Sequence, residues 1–548
     1  MVNVLGLHYG HDGAACVVVD GKLVSAISSE RLVKPEDFSP EIRNSETFRI
    51  KKFTGVTDKV IDYVLDKANI GYEDIDFIAL SHYYEDDSYN TLKLFSGSVK
   101  RSKQIFKISP CKLTGDNIKL IGVMKGREIP TYVLPHHLCH AASAYYTSNQ
   151  DSAVCFTLDS SGGDYECNNL IAIGNGNKLE TKECPGLMVG NGYTEFTHSL
   201  GLGQAFLSAG KTMGLASYGE PNDLLIDHLD DYVKESYKPE FFRVHFENLF
   251  WTWADGLENE KDLYKTKKGM HLAASIQLLF EKSILDAIER FVKPIGIKNL
   301  CLSGGSFLNC NVNALIKKDG FFDDIHLYPA CGDDGLSVGA ALYVSHHILD
   351  EKRHTYTFSD IAYLGSPSKE LSDEDYMVLV SALNSGDIVA WYSGQSEFGP
   401  RALGHRSLLA DPRSYHNREK LNFLVKNREW FRPFAPVVLE EEAHNWFEPG
   451  DPSKYMLFTQ KVLQPEKVPA ITHVDGTARM QTINEEDNPA YYKLVKRFYE
   501  TTGVPMLINT SFNGNGQPIV ETKDDALNLF YNNEAIDLLV LDGEIFRK

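Results

Sequence analysis

Ala153-Val-Cys-Phe-Thr-Leu-Asp159 is an apolar run that ends on a carboxylate, turns through Asp159-Ser-Ser-Gly-Gly163 and returns through Asn169 to Ile173. Its alternating and β-branched residues read as a strand, and the Gly-rich polar turn marks a strand–turn–strand unit. The amino terminus has the same design. Val2-Asn-Val-Leu-Gly-Leu-His-Tyr9 is followed by Gly10-His-Asp-Gly13, then by runs Ala14 to Asp20 and Lys22 to Ser28 across an Asp20-Gly21 turn, which predicts a hairpin. Turns of this kind leave backbone N–H groups free for phosphate oxygens.

Beyond these units the pattern alternates. Leu272 to Val292 carries a helical apolar stripe (Leu272, Ile276, Leu279, Phe280, Ile284, Ile288, Phe291) that Pro294 ends. Strand Asn299 to Leu302 runs into Ser303-Gly-Gly305, and strand Asp324 to Tyr328 leads to Gly332-Asp-Asp-Gly335. Strands, helices and Gly turns in alternation predict an α/β fold. The polar stretch Asp350 to Tyr356 is the best linker, which divides the chain into domains 1–352 and 353–548.

Composition narrows the class. The 548 residues hold 43% apolar and 24% charged residues, as in a globular protein with ample core. The net charge of −20 argues against a broad nucleic-acid footprint, and no stretch nears the ~20 apolar residues of a membrane span. The start, Met1-Val-Asn-Val-Leu-Gly, lacks a signal-peptide pattern, so a cytoplasmic location is expected. The nine cysteines include no Cys-x-x-Cys and none after Cys331, which reads as reduced thiols.

Two clusters carry chemistry. In Pro135-His-His-Leu-Cys-His-Ala-Ala-Ser-Ala-Tyr145 the proline and the small residues predict the first turns of a helix. His136 and His140, at i and i+4, then share a face. With one or two strand-end aspartates they make an N/O site suited to a transition metal. Cys139 reads as a packed helix residue. The second cluster is Gly394-Gln-Ser-Glu-Phe-Gly-Pro-Arg-Ala-Leu-Gly-His-Arg-Ser-Leu-Leu-Ala-Asp-Pro-Arg413 with Val425-Lys-Asn-Arg-Glu-Trp-Phe-Arg-Pro-Phe-Ala-Pro436. Between Pro400 and Arg432 eight Lys/Arg face three Asp/Glu, a local +5. The basic residues alternate with Gly, Pro and Phe, so Arg401, Arg406, Arg413, Lys426, Arg428 and Arg432 read as an anion pocket, with guanidinium forks for phosphate.

The two hairpins, Ser303-Gly-Gly305 and Gly332-Asp-Asp-Gly335 resemble the actin-like superfamily of sugar kinases, heat-shock chaperones and actin, in which duplicated halves clasp ATP. With the carboxy-terminal block the resemblance sharpens. The sequence resembles the O-carbamoyltransferases of the nodulation-factor, tobramycin and cephamycin type over nearly its full length. The further carriers are Lys211-Thr-Met-Gly-Leu-Ala-Ser-Tyr-Gly219, Ser303-Gly-Gly-Ser-Phe-Leu-Asn309, His473-Val-Asp-Gly-Thr-Ala-Arg479 and Gly503-Val-Pro-Met-Leu-Ile-Asn-Thr-Ser-Phe-Asn513.

That resemblance implies an actin-like domain followed by a smaller α/β adenylate-forming domain. The first is similar to the enzyme that places threonylcarbamoyl on tRNA, the second to its threonylcarbamoyl-adenylate-forming partner. It implies that carbamoyl phosphate and ATP (with Mg) give carbamoyl-adenylate, whose carbamoyl group passes to a hydroxyl of a small-molecule acceptor, such as a natural product or sugar, as AMP leaves. His136, His140, Asp159 and Asp333 match the metal positions, with Fe(II) the implied ion; the donor set alone admits other divalent transition metals, and Asp334 could replace Asp333. Ser303, Gly304, Gly305, Asn309, Asn313 and Gly332 are expected against the nucleotide. Lys426 and Arg428 are expected on the phosphates, with Arg401, Arg432 and Arg479 as further candidates. Asn509, Ser511 and Asn513 are expected on the nucleotide or the carbamoyl amide. His11 or Asp12 is the expected base for the acceptor hydroxyl; the structural alternative makes Asp12 a turn residue. A homodimer is compatible with the pattern.

In one place the sequence departs from the family. The stretch Ser28-Ser-Glu-Arg-Leu-Val-Lys-Pro-Glu-Asp-Phe38 keeps only Glu30 and Arg31 of the usual acidic run, which leaves the acceptor's identity open. The rival classes are an actin-like small-molecule kinase, which makes ADP where a carbamoyltransferase makes AMP and pyrophosphate, a threonylcarbamoyl-type tRNA-modification enzyme, and a silent scaffold.

Overall fold

The structure, a computed structural model, describes residues 1–10, 12–33, 56–82, 107–109, 118–159, 169–187, 189–203, 205–222 and 262–548. Two compact units, Met1–Tyr356 and Thr357–Lys548, divide the chain at the end of the polar stretch 350–356.

The first unit is an α/β architecture in which one sheet plan occurs twice. Strands β1 (Asn3–His8), β2 (Ala14–Val19) and β3 (Lys22–Ser28) form an antiparallel meander, and the sheet continues through β4 (Phe77–His82), β7 (Arg127–Pro135), β6 (Ile118–Met124) and β5 (Lys107–Ser109). β4 pairs parallel with β1. The second sheet repeats the plan: β8 (Ser152–Leu158), β9 (Asn169–Asn175) and β10 (Lys178–Glu183) form the meander, then β11 (Asn299–Ser303) and β12 (Asp324–Leu327) add parallel to β8. The Asp20-Gly21 turn has φ of 47° and 79°, the double positive φ that a tight hairpin with the native twist requires.

Helices fill the space between these sheets. The helix predicted from Pro135 is α2, His136–Thr147, preceded in the chain by α1, Asp58–Ala68, on the outer face of the first sheet. Helix α3 (Lys267–Ala287) continues as a π turn to Val292 before Pro294 stops it. Helix α4 is Cys310–Asp319 and α5 is Leu336–Tyr343. Every residue of α2 and of α5 is buried. α5 packs on β1, β2 and β4, α2 packs on β8, β9 and β11, and the two helices pack on one another. Small residues (Ala141, Ala142, Ser143; Gly339, Ala340, Ala341) let them approach closely. This layering fixes the start of α2 against the turn that precedes α5.

Six cysteines (Cys16, Cys139, Cys155, Cys301, Cys310 and Cys331) are free and buried, Cys139 among them as a packed residue. Cys184 is disulfide-bonded, which corrects the reading of all nine as reduced. No described helix is long and apolar enough to cross a membrane.

The second unit is a seven-stranded mixed sheet, ordered β19 (Gln481–Ile483), β15 (Ala435–Leu439), β20 (Met506–Ser511), β14 (Arg406–Ala410), β13 (Val389–Tyr392), β21 (Leu538–Leu541) and β22 (Glu544–Arg547). A small sheet joins β16 (Phe447–Glu448), β17 (Gln460–Val462) and β18 (Thr477–Ala478). Helices α6 (Asp373–Asn384) and α7 (Pro489–Thr502) pack together over a core that includes Trp391, Leu408, Val437, Tyr491 and Leu507.

Candidate active sites

In the first unit α2 presents His136 and His140 one turn apart, β8 delivers Asp159 at its carboxyl end, and the 3₁₀ turn Asp333–Gly335 delivers Asp333 at the start of α5. Their ligand atoms all lie within 4.8 Å of one another. His140 Nε2 is 3.1 Å from His136 Nε2, 3.2 Å from Asp159 Oδ2 and 3.5 Å from Asp333 Oδ1. His136 Nε2 is 3.6 Å from Asp333 Oδ1 and 3.8 Å from Asp159 Oδ2. Neighbouring ligands of an ion with bonds near ~2.1 Å stand about 3 Å apart or somewhat more, so two imidazoles and two carboxylates converge as a metal centre requires. The donor set fits a divalent transition ion.

The electrostatics agree with a cation-binding role. Burial opposes a charge on His140, but Asp159 and Asp333 outweigh it and raise the imidazole to about 9. Burial also opposes a charge on Asp159, yet both imidazoles hold it well below the carboxylate range. His137, on the same helix, is pushed well below the usual value by burial and by its two neighbours, and its Nδ1 lies 3.0 Å from Thr157 Oγ1. His140 Nδ1 lies 3.3 Å from Ser303 Oγ, which in turn is 3.4 Å from Ser143 Oγ. Such a contact on the far nitrogen fixes ring orientation. Beside the centre, burial and then the charges of Asp12, Glu30 and Asp333 raise Asp334 to about 7.

In the second unit a π turn, Lys420–Val425, runs into Lys426 and Arg428. Between them Asn427 has φ of +40°. Lys426 Nζ donates to Ser511 O, to Ser511 Oγ at 3.2 Å, to Asn513 O at 3.0 Å and to Asn513 Oδ1 at 2.5 Å. Arg428 lies 4.3 Å from the centre of the Phe434 ring and donates from Nε to Asn422 Oδ1 at 2.7 Å. Burial first, then Arg428 and Arg432, pushes Lys426 well below the ordinary lysine value. Burial, Arg432 and Arg479 do the same to Arg428, against the charge of Glu429. The buried Arg479 Nε has no hydrogen-bond partner. Lys426, Arg428, Arg432 and Arg479 thus stand together as a group of cations with Glu429 beside them, an arrangement suited to an anion.

Residues 3–342 match the family model described as carbamoyltransferase N-terminus, and residues 380–548 that described as carbamoyltransferase C-terminus. The chain belongs to the carbamoyltransferase family. An uncharacterized protein of Synechocystis sp. is 33% identical over 100% of this chain and 97% of its own length. Nodulation protein NolNO of Sinorhizobium fredii is 32% identical over 98% of this chain and 79% of its own. Nodulation protein U of Rhizobium tropici is 27% identical over 94% and 92%. As a carbamoyltransferase the chain is a group-transfer enzyme, which sets aside the scaffold reading.

Within this carbamoyltransferase several residues expected against the ligands also make contacts within the chain. Asn309 caps α4, its Oδ1 accepting from Val312 N at 3.3 Å, and its Nδ2 donates to Gln277 Oε1 at 3.0 Å. Asn313 Nδ2 donates to Phe307 O at 2.7 Å. Ser303 supports His140, Gly305 N donates to Asp159 Oδ2 at 3.3 Å, and Gly332 O accepts from Gly335 N. Gly304, at φ +103°, passes so close to β8 that a Cβ would meet Leu158 O at 2.2 Å. The Ser303–Gly305 turn thus touches the His136–His140–Asp159–Asp333 cluster directly. Asn509 Nδ2 donates to Ala402 O and Gln481 Oε1, at 3.1 and 2.8 Å, while Ser511 and Asn513 hold Lys426.

Two arginines leave the predicted anion pocket. Arg406 is buried and donates to the carbonyls of Ser393, His405, Gly394 and Glu521. Arg413 grips Asp411 with Nε at 3.0 Å from both carboxylate oxygens. The Arg406 NH1 and NH2 groups are taken up by carbonyls and the Arg413 guanidinium by a carboxylate. Arg401 is half-buried in the same block, and Arg432 NH1 is 3.6 Å from Glu429 Oε2. His11 lies outside the described residues; Asp12 is in the first hairpin turn at φ +59°.

Two residues escaped the sequence reading. His8, at the end of β1, has Nε2 3.9 Å from Asp333 Oδ2 and Nδ1 2.7 Å from Ser81 Oγ; only the register of β1 with β4 could have shown this. The buried Glu397 Oε1 accepts from the N–H groups of Leu403, Gly404, His405 and Arg406 at 2.7–3.0 Å. Its place as one of only two acids in the basic block Gly394–Arg413, the other being Asp411, was the available signal.

Proposed function

We propose that the chain is an ATP-dependent O-carbamoyltransferase that makes carbamoyl-adenylate in its second unit and uses it in its first. The observation that carries this is the cluster of Lys426, Arg428, Arg432 and Arg479 in a carbamoyltransferase, in which Lys426 is buried and the three arginines stay partly open to an incoming polyphosphate. Carbamoyl phosphate and one water give phosphate and carbamate. A carbamate oxygen attacks the α-phosphorus of ATP, and pyrophosphate leaves. Arg428 and Lys426 hold the phosphate charge through this exchange, and Arg432 and Arg479 add to the field that stabilises it. Magnesium enters with ATP.

In the first unit the acceptor hydroxyl attacks the carbamoyl carbon and AMP departs. His136, His140, Asp159 and Asp333 would hold a divalent ion, Fe(II) by family resemblance, which when bound supplies Lewis-acid stabilisation of phosphate charge. Ser303 keeps the His140 ring in register, and Gly305 N–H keeps Asp159 turned inward. His11 or Asp12 takes the hydroxyl proton, since an alcohol's own pKa is far above neutrality. The acceptor is a small molecule; nucleic acid finds no basic stripe in a chain of −20.

The test is nucleotide product analysis of purified protein with ATP, magnesium and Fe(II), with and without carbamoyl phosphate and without acceptor. AMP and pyrophosphate that appear only with carbamoyl phosphate establish the adenylate route. ADP instead means a kinase and overturns it.

A further inference from the structure

Arg428 is held by Asn422 at two points. Its backbone N–H donates to Asn422 O at 3.2 Å and its Nε–H donates to Asn422 Oδ1 at 2.7 Å. Asn422 is buried and sits within the π turn Lys420–Val425, where Lys426 N reaches back to Leu421 O at 2.9 Å. A π turn widens the helix by one residue and often lies at a functional site. Here it rotates the chain so that residues 422 and 428, six apart, face one another, with the positive φ of Asn427 completing the turn.

The partner chosen is unusual in its charge. An arginine that must stay ordered is commonly pinned by a carboxylate, as Arg413 is by Asp411 in this same unit. Arg428 is instead oriented by neutral groups: an amide oxygen, the Pro433 carbonyl at 3.3 Å and the Phe434 ring. Lys426 is likewise held by two carbonyls, a hydroxyl and an amide. The charged groups that act on Arg428 are Arg432, Arg479, Arg418 and Lys426 on the positive side and Glu429 on the negative side. Neutral dipoles fix direction without cancelling charge, so the field remains available to an incoming anion.

We infer that Asn422 is a positioning residue of the carbamoyltransferase, aiming the Arg428 guanidinium at the phosphate groups while leaving its charge uncompensated. This rests on the adenylate-forming reading of the second unit.

The experiment measures pyrophosphate binding by calorimetry on the full chain for wild type, Arg428→Ala, Asn422→Leu and Asn422→Asp, with thermal unfolding of each. Asn422→Leu removes the acceptor at similar volume, and its affinity is expected to fall about ten-fold. Asn422→Asp keeps the acceptor and the shape but adds a negative charge that pairs with Arg428. Its affinity is expected to fall below that of Asn422→Leu. A packing role alone would give the reverse order, since Asp is the closer match in shape. Wild-type affinity in Asn422→Leu, or an Asn422→Asp affinity at or above that of Asn422→Leu, overturns the inference if Arg428→Ala has lost binding. If Arg428→Ala itself binds pyrophosphate normally, the phosphate-pocket reading fails instead.

Discussion

His140 and Asp159 meet at 3.2 Å, Nε2 to Oδ2, although one comes from the first turns of α2 and the other from the end of β8. His136 and Asp333 complete the group, so no single segment carries the centre. Replacing His136 or His140 by Ala is expected to remove bound metal, read by elemental analysis, and to lower carbamoyl transfer by about a hundred-fold or more. Adenylate formation should persist. Full transfer activity in a metal-free double variant would show that the centre is misassigned.

Ser303 touches His140 only through the far ring nitrogen. Ser303→Ala should therefore keep the four ligands and weaken metal affinity by about ten-fold, measured by competition with a chelator. An unchanged affinity would leave Ser303 a packing residue.

Arg428→Ala is expected to lower carbamoyl-adenylate formation by about ten- to a hundred-fold, the range of a lost charged hydrogen bond. Transfer from supplied carbamoyl-adenylate should continue. Survival of both half-reactions would place the anion pocket elsewhere.

His405 supplies a pH test of the second unit. It stacks on Tyr363 with ring centroids 3.6 Å apart, and its Nδ1 lies 2.6 Å from Gln395 O. Burial above all lowers it from 6.5 to about 4. Because the folded value is depressed, the unfolded chain binds the proton first as pH falls. The contribution is fully present above pH 6.5 and is lost as pH drops toward 4, by up to about 3 kcal/mol. Denaturant unfolding of the second unit should weaken across that window, and His405→Phe should flatten the slope.

Much of this was legible in the chain. The β1–β3 and β8–β9 runs, the helix opened by Pro135 and the i, i+4 histidines are local patterns, set by side-chain period and turn chemistry. The pairing of Asp159 with Asp333 came through the family resemblance, because a strand end 174 positions away has no periodic tie to it. The basic block was less readable. Arg406, which satisfies four carbonyls, and Arg428, which faces other cations, look alike in sequence, since a guanidinium serves backbone and phosphate equally well. Asn309 and Asn313 show the same ambiguity: a short amide can cap a helix, as Asn309 does, or reach back to a carbonyl, as Asn313 does to Phe307 O, as well as meet a ligand.

Gly304 tests whether the Ser303–Asn309 segment belongs to the metal centre. Its φ of +103° is strained for any other residue, and a Cβ would stand 2.2 Å from Leu158 O, backbone that cannot yield cheaply. Gly304→Ala must push this turn off β8, and with it Gly305 N–H from Asp159 and Ser303 from His140. Gly296 has φ of +81° but open space around it, so Gly296→Ala should carry only conformational strain of about 1 kcal/mol. The expected result is that Gly304→Ala loses metal and transfer while adenylate formation continues, and that Gly296→Ala keeps all three. Normal metal content in Gly304→Ala would mean that the turn adapts, and that the four ligands hold their geometry without it.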